Sequence, residues 1–320
     1  MSAISIKKNI KIEFALLCIG ISISLIHQFI FQFPATYQMA ILLSLVLIVG
    51  VPHGALDFLV DEQNKEVSNG KFSIQNFVKI YLSRLFLFSL FWILPWLAFS
   101  LFIGFSIFHF GETDMAAIMK PGKSSTILYL TYGAFILAVL LLIHLSEIEI
   151  AVPIVGTYLK GSKLYYYLQQ YNLVLILLFA FAFLLTLFWQ YRKNNIIPIN
   201  LYKILEFIFL ITIIVTLPML LAFTFYFALW HSILSVRNIF AYFRNFNNTK
   251  KFTLICNKSI LFSLLALGSI IGLYFAMHYF LPDMNLLFAL LIVLSVLTLP
   301  HLKVMHSMYK NFSKNNMETV

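Results

Sequence analysis

The sequence predicts an all-α protein: a polytopic transmembrane helix bundle of about ten helices with both termini cytoplasmic. Three observations predict it. Of 320 residues, 61% are hydrophobic and only 11% charged, where a soluble domain carries roughly 25% charged residues. The mean hydropathy of +0.92 leaves too little polar side chain to clothe a water-facing surface. The apolar residues number about 195 (61% of 320), and one crossing takes roughly 20, which bounds the count near ten. A soluble enzyme, a secreted domain and a nucleic-acid-binding module are excluded together, so the net charge of +10 speaks of membrane topology and not of a nucleic-acid partner.

The basic segment Met1 to Lys11 precedes an apolar run without a small-residue cleavage site, which reads as an uncleaved first helix. Apolar runs separated by charged or Pro/Gly-containing breaks then place helices over 13–32, 37–60, 76–94, 97–116, 126–147, 172–190, 203–218, 219–240, 258–281 and 285–308. The run from Phe77 to Asp114 far exceeds one crossing, and Pro95-Trp96 is its natural turn. The run from Lys203 to Phe240 divides near Pro218 in the same way. With the N-terminus inside, all of the 22 Lys and Arg residues but Lys160 and Lys163 fall in cytoplasmic segments or the adjoining helix ends, as the positive-inside rule demands. Residues 1–320 thus form a single transmembrane domain in the cell inner (cytoplasmic) membrane, with a short loose polar tail over 310–320. Cys18 and Cys256 stand far apart in apolar surroundings and receive no role.

Chemistry has to come from the few ionisable groups inside the spans, since each is costly there. There are eight histidines: His27, His53, His109, His144, His231, His278, His301 and His306. His27, His144 and His278 fall near the outer ends of odd-numbered helices, where an interfacial imidazole costs little, and read as structural. His53, in Pro52-His53-Gly54-Ala55-Leu56-Asp57, and His109, in His109-Phe110-Gly111-Glu112-Thr113-Asp114, carry polar context. So do His231, in Trp230-His231-Ser232, and His301, in Pro300-His301. In this topology these four lie on helices two, four, eight and ten, which all run outside to inside, each in the inner half. Four imidazoles at one depth on parallel helices can converge.

Imidazole suits Fe, Zn, Cu or Ni, and a ligating ring usually gives its other N–H to a carboxylate. Asp57 is four residues after His53; Glu112 and Asp114 are three and five after His109. Pro52 and Pro300 loosen the helix just before a histidine, and Gly54 and Gly111 permit close helix approach. The competing reading is a set of interhelical hydrogen bonds; within the metal reading, zinc and haem stand beside iron. The phenylalanines of two runs (Phe102, Phe105, Phe108, Phe110 and Phe223, Phe225, Phe227) are core, or they line a slot for a long planar hydrocarbon, with Phe105, Phe108, Phe227 and Trp230 as its candidate walls.

Taken together, Pro52-His53-Gly54-Ala55-Leu56-Asp57, His109-Phe110-Gly111-x-x-Asp114, Trp230-His231-Ser232 and Pro300-His301 resemble the Brp/Blh family of integral-membrane beta-carotene 15,15′-dioxygenases. The resemblance implies oxidative cleavage of the central double bond of beta-carotene by O2 at non-haem Fe(2+), giving two molecules of retinal, which in bacteria serves a microbial rhodopsin. It implies iron ligands at His53, His109 and His231. The family's fourth histidine, one turn beyond the third, is Ser235 here. A serine hydroxyl is a poor ligand for Fe(2+), and His301, at matching depth, is the candidate replacement. Asp57, Glu112, Asp114 and Ser235 would then support the ligands from behind. Two other readings compete: a proton-coupled transporter relaying protons through histidines and carboxylates, and a carotenoid-binding member of the family that does not cleave.

Overall fold

A computed structural model describes residues 6–151, 162–245 and 286–318, with a few isolated helical residues between 260 and 279. The helix expected over 258–281 lies largely outside the described residues, as do Cys256 and His278. Every element among the described residues is helical, apart from one isolated bridge between Met119 and Ile196.

The first rod is α1 (Ile6–Leu25), which ends in a π turn, Ile26–Ile30. The second is composite: α2 (Ala35–Leu45), a π turn over Val46–Gly50, α3 (Val51–Ala55) and α4 (Asp57–Val67). Next come α5 (Ile74–Leu90), α6 (Pro95–Met115), α7 (Thr126–Ile143), the short α8 (Leu145–Ala151) and α9 (Lys163–Gln170), then α10 (Asn172–Arg192). The chain continues through α11 (Leu201–Thr216), α12 (Met219–Phe223), an eight-residue π segment over Thr224–His231, α13 (Ser232–Asn245) and α14 (Leu286–Glu318). Among the described residues 8 rods are long and apolar enough to cross a membrane; α11, with 16 residues, is about 24 Å long. The protein is an all-α polytopic bundle.

Local chemistry sets the boundaries. Ser73, Ser125 and Asn200 cap α5, α7 and α11 by accepting the backbone N–H of Asn76, Leu128 and Lys203. Pro95 opens α6, and Pro218 stands immediately before α12, as expected of a residue with no N–H to donate. Two expectations need correction. The single helix over 126–147 breaks at His144 into α7 and α8. α14 runs on to Glu318, past position 310 where a loose tail was expected, because Phe312 packs on Tyr242 with ring centroids 6.2 Å apart and Asn311 donates to Asn64. Asn64 also accepts from Tyr242 at 2.9 Å and donates to the Val304 carbonyl at 3.2 Å, so the polar stem α4 is bound to both α13 and α14.

Polar residues at the rod ends join neighbours. Buried Glu13 of α1 receives Arg237 of α13 at 2.6 Å and Lys203 of α11 at 3.2 Å. His144, expected at an interface, is buried instead: its ring nitrogens reach Glu147 and the Ile214 carbonyl, each at 3.0 Å, and Glu147 accepts the Met219 N–H. His27 accepts the Phe33 N–H at 3.1 Å. Both have the structural role expected of them.

α7 is apolar on every side and forms the middle of the largest core cluster. Its contact with α6 is backbone to backbone. A Cβ built on Gly111 would stand 1.8 Å from the Tyr129 carbonyl oxygen, and one on Gly133 1.8 Å from that of Ile107. Gly54 differs from the expectation, since a Cβ there meets nothing within 4 Å. Gly111→Ala and Gly133→Ala should therefore each lose at least ~2 kcal/mol, the upper part of the usual overpacking range, because the blocking atoms are main chain. Thermal unfolding in detergent should show a lower midpoint for both and an unchanged one for Gly54→Ala.

Candidate metal centre

Two helix irregularities aim the central histidines. Pro52 has no N–H, and just before it the Val51 N–H bonds to the Val46 carbonyl, five residues back, widening the turn that leads to His53. The π segment over Thr224–His231 ends on His231 itself. Its last turn is closed by Ser232, whose N–H and hydroxyl both donate to the Phe227 carbonyl, the hydroxyl at 2.8 Å. This gives the serine of Trp230-His231-Ser232 a mechanical task. The two π segments pack against each other, and so each widened turn fixes the direction of its histidine against the other.

α3, α6, the π segment over Thr224–His231 and α14 deliver four buried imidazoles to one place. One ring nitrogen each from His53, His109 and His231 all lie within 4.8 Å of one another, a spacing able to hold a metal ion. The four rings follow one another in a closed circuit. The centroids are 4.9 Å apart for His53 and His301, 4.8 Å for His301 and His109, 4.7 Å for His109 and His231, and 5.6 Å for His231 and His53. Every pair is edge to face, so no two rings stack. Both nitrogens of His109, both of His231, Nδ1 of His53 and Nε2 of His301 are buried without a hydrogen-bond partner. An unpaired buried polar atom is expensive, and six of them on four converging imidazoles are a donor set suited to a borderline cation.

The carboxylates are in the neighbourhood, but not where helical spacing put them. Asp57 does not serve His53: its Oδ1 takes His301 Nδ1 at 2.7 Å, and its Oδ2 accepts from the Tyr81 hydroxyl at 3.0 Å. The helix breaks at Leu56 (φ −78°, ψ −8°), so the i,i+4 face from His53 to Asp57 is not continuous. Glu112 likewise reaches across to α14, with Oε1 2.8 Å from His306 Nδ1. Asp114 accepts from Tyr132 at 2.9 Å and Tyr226 at 3.1 Å. None of the three carboxylates bonds His109 or His231. Ser235 is fully buried one turn beyond His231, with its hydroxyl unpartnered.

Of the candidate slot residues, Phe227 lies parallel to His231 at 6.2 Å and edge-on to His53 at 6.4 Å. Phe108 instead meets His306 at 5.5 Å, Phe105 meets Phe88 at 5.8 Å, and Trp230 belongs to the apolar core. The ring nearest a histidine is Phe110, 4.6 Å from His231. No motif singled out His306, Tyr81, Tyr132 or Tyr226. The only sequence signal for them is a polar side chain within a membrane-length apolar run.

The chain matches no curated protein and no solved structure. A family model described as beta-carotene 15,15'-dioxygenase matches residues 44–309, a stretch that contains all four central histidines and the acids around them. The protein belongs to the beta-carotene 15,15'-dioxygenase family.

Proposed function

We propose that the protein cleaves beta-carotene with O2 at its central double bond to give two molecules of retinal, in the cell inner membrane, at a non-haem Fe(2+) held by His53, His109, His231 and His301. The observation that carries the reading is the convergence of four buried imidazoles whose facing nitrogens lack partners. Iron, when bound, supplies the activation of O2.

The chain supplies the rest. His109 and His231 offer nitrogens that no hydrogen bond competes for. Asp57 can only accept, so in the neutral ring the proton of His301 sits on Nδ1 and the unpartnered Nε2 keeps its lone pair. Tyr81 holds the other oxygen of Asp57 and fixes the carboxylate plane. Phe110 and Phe227 put apolar rings beside His231, and Phe223 stacks on Phe227 at 5.3 Å. Such walls suit a flat, water-insoluble polyene that arrives from the lipid. The retinal product is of the kind a microbial rhodopsin consumes.

A second reading, a member that binds a carotenoid without cleaving it, is favoured by one feature: Ser235 at the position of the family's fourth histidine. In carotene-accumulating cells, expression of the wild type should bleach the pigment with formation of retinal, and His53→Ala or His109→Ala should leave the pigment intact. Pigment retained by the wild type would select the binding protein. Metal analysis separates both from a proton-coupled carrier: the purified protein should hold about one iron per chain, whereas a carrier would hold none.

The ligand assignment has its own check. Asp57→Asn should weaken iron retention by ~10- to 100-fold, the usual effect of removing an orienting carboxylate, read as metal content after dialysis against a chelator. His301→Ala should do at least as much. Ser235→His in the His301→Ala background should restore iron, since the new ring would stand one turn from His231 on the same helix face; normal iron in His301→Ala alone would instead limit the ligands to three.

A further inference from the structure

A cavity of about 280 Å³ opens at the end of the bundle where α4 meets α5 and α14. Four cations line it: Lys65 of α4, Lys71 of the following turn, Arg84 of α5 and Lys303 of α14. They face one carboxylate, Asp61. Among the described residues none of the four cations makes an ion pair within 4.0 Å. Elsewhere at the rod ends a buried charge is matched, as Glu13 is by Arg237 and Lys203.

Arg84 is the telling member. It is the eleventh residue of a helix that starts at Ile74, which places its backbone ~15 Å along the span. A guanidinium at such a depth is costly unless something of opposite charge receives it, and intramembrane charges mark ligand paths. Three lysines at the mouth and an arginine further in match a phosphate group: Arg presents a flat fork of donors, and Lys presents a point charge that adapts. Basic pockets between helix ends are the usual receptors for acidic headgroups.

We propose that this cavity binds a phosphate-bearing anion between Lys65, Lys71, Arg84 and Lys303, presented either as the headgroup of an anionic phospholipid or as free phosphate. The site is separate from the histidine cluster, but they share a wall. Tyr81 lines the cavity and donates to Asp57, and Lys303 follows His301 by two residues on α14.

The test titrates the delipidated full-length protein, in neutral detergent, with phosphatidylglycerol, phosphatidylcholine or inorganic phosphate, and counts bound molecules by native mass spectrometry. Phosphatidylglycerol should add one tight adduct that phosphatidylcholine does not, or phosphate alone should saturate one site and compete with it. The first result names the lipid as the source, the second the free anion. Each of Arg84→Gln and Lys303→Gln should weaken that binding about fivefold, the equivalent of ~1 kcal/mol per cation. Lys193→Gln, which removes the same charge from a side chain stacked on Trp189, should not. Lys303 is exposed, so its variant keeps the test valid if Arg84→Gln unfolds. Equal binding of both lipids with no effect of phosphate overturns the proposal, as does a loss in Lys193→Gln as large as in Lys303→Gln.

Discussion

Hydrocarbon offers no hydrogen bonds, and this structure is organised around that fact. Any polar atom inside the bundle has to find its partner in the protein, and the cost of failing is several kcal/mol. Most of the interior obeys. Asn64 is held by three neighbours, Glu13 by two cations, and Ser24 by Thr216. The departures are concentrated: of the eleven buried side-chain atoms without a partner among the described residues, six are nitrogens of the four imidazoles, and the other five belong to Glu112, Thr113, Asp114, Trp230 and Ser235, each within five residues of His109 or His231 in the chain. Histidines serving as interhelical glue would have been expected to bond one another or the nearby acids. Apart from His301 Nδ1, which Asp57 takes, they are instead edge to face, with six nitrogens free and Glu112 and Asp114 turned to other groups. A set of donors left unsatisfied together is an arrangement for a ligand, whereas scattered unsatisfied groups would be a flaw.

The irregular helices follow from the same constraint. A regular helix fixes side-chain directions every 100°, and an inserted residue turns every side chain after it relative to those before. The π turns over Val46–Gly50 and Thr224–His231 insert a residue ahead of His53 and His231 and re-aim them. A widened turn leaves carbonyls poorly served, which is where Ser232 contributes a second donor to Phe227. The close α6–α7 packing through Gly111 and Gly133 holds the third ring, His109, on a rod that cannot shift without a backbone clash.

Much of the fold was legible because membrane helices announce themselves one at a time. Apolar length, Pro95 and Pro218 set most rod boundaries within a few residues, without any knowledge of their partners, whereas α4 and α14 run seven and ten residues past the ends expected at 60 and 308. The four central histidines were legible for a related reason: an imidazole in an apolar run has no cheap explanation. What the sequence did not disclose is partnership across helices. Asp57 stands four residues from His53, and helical spacing pairs them, but the break at Leu56 sends the carboxylate to a residue 244 positions away. Glu112 and His306, 194 apart, are the same case. The end of α14 was misread because Asn311 and Phe312 look like a solvent-facing tail; only the docking of α4 gives them something to hold.

Ser235 makes this long-range pairing matter. A fourth histidine at position 235 would be aimed by the same helix that aims His231, one turn away, with no help from elsewhere. His301 arrives on α14, directly after a proline that weakens the helix holding it. On the proposed reading, its direction has to be fixed from outside its own helix. Asp57 does this from α4, with Tyr81 of α5 behind it. The price of moving a ligand between helices is then a dependence on how three rods sit together. The polar stem α4, joined to α13 and α14 through Asn64, and the helical extension of α14 that carries Asn311 become the frame that keeps the fourth imidazole in the circuit.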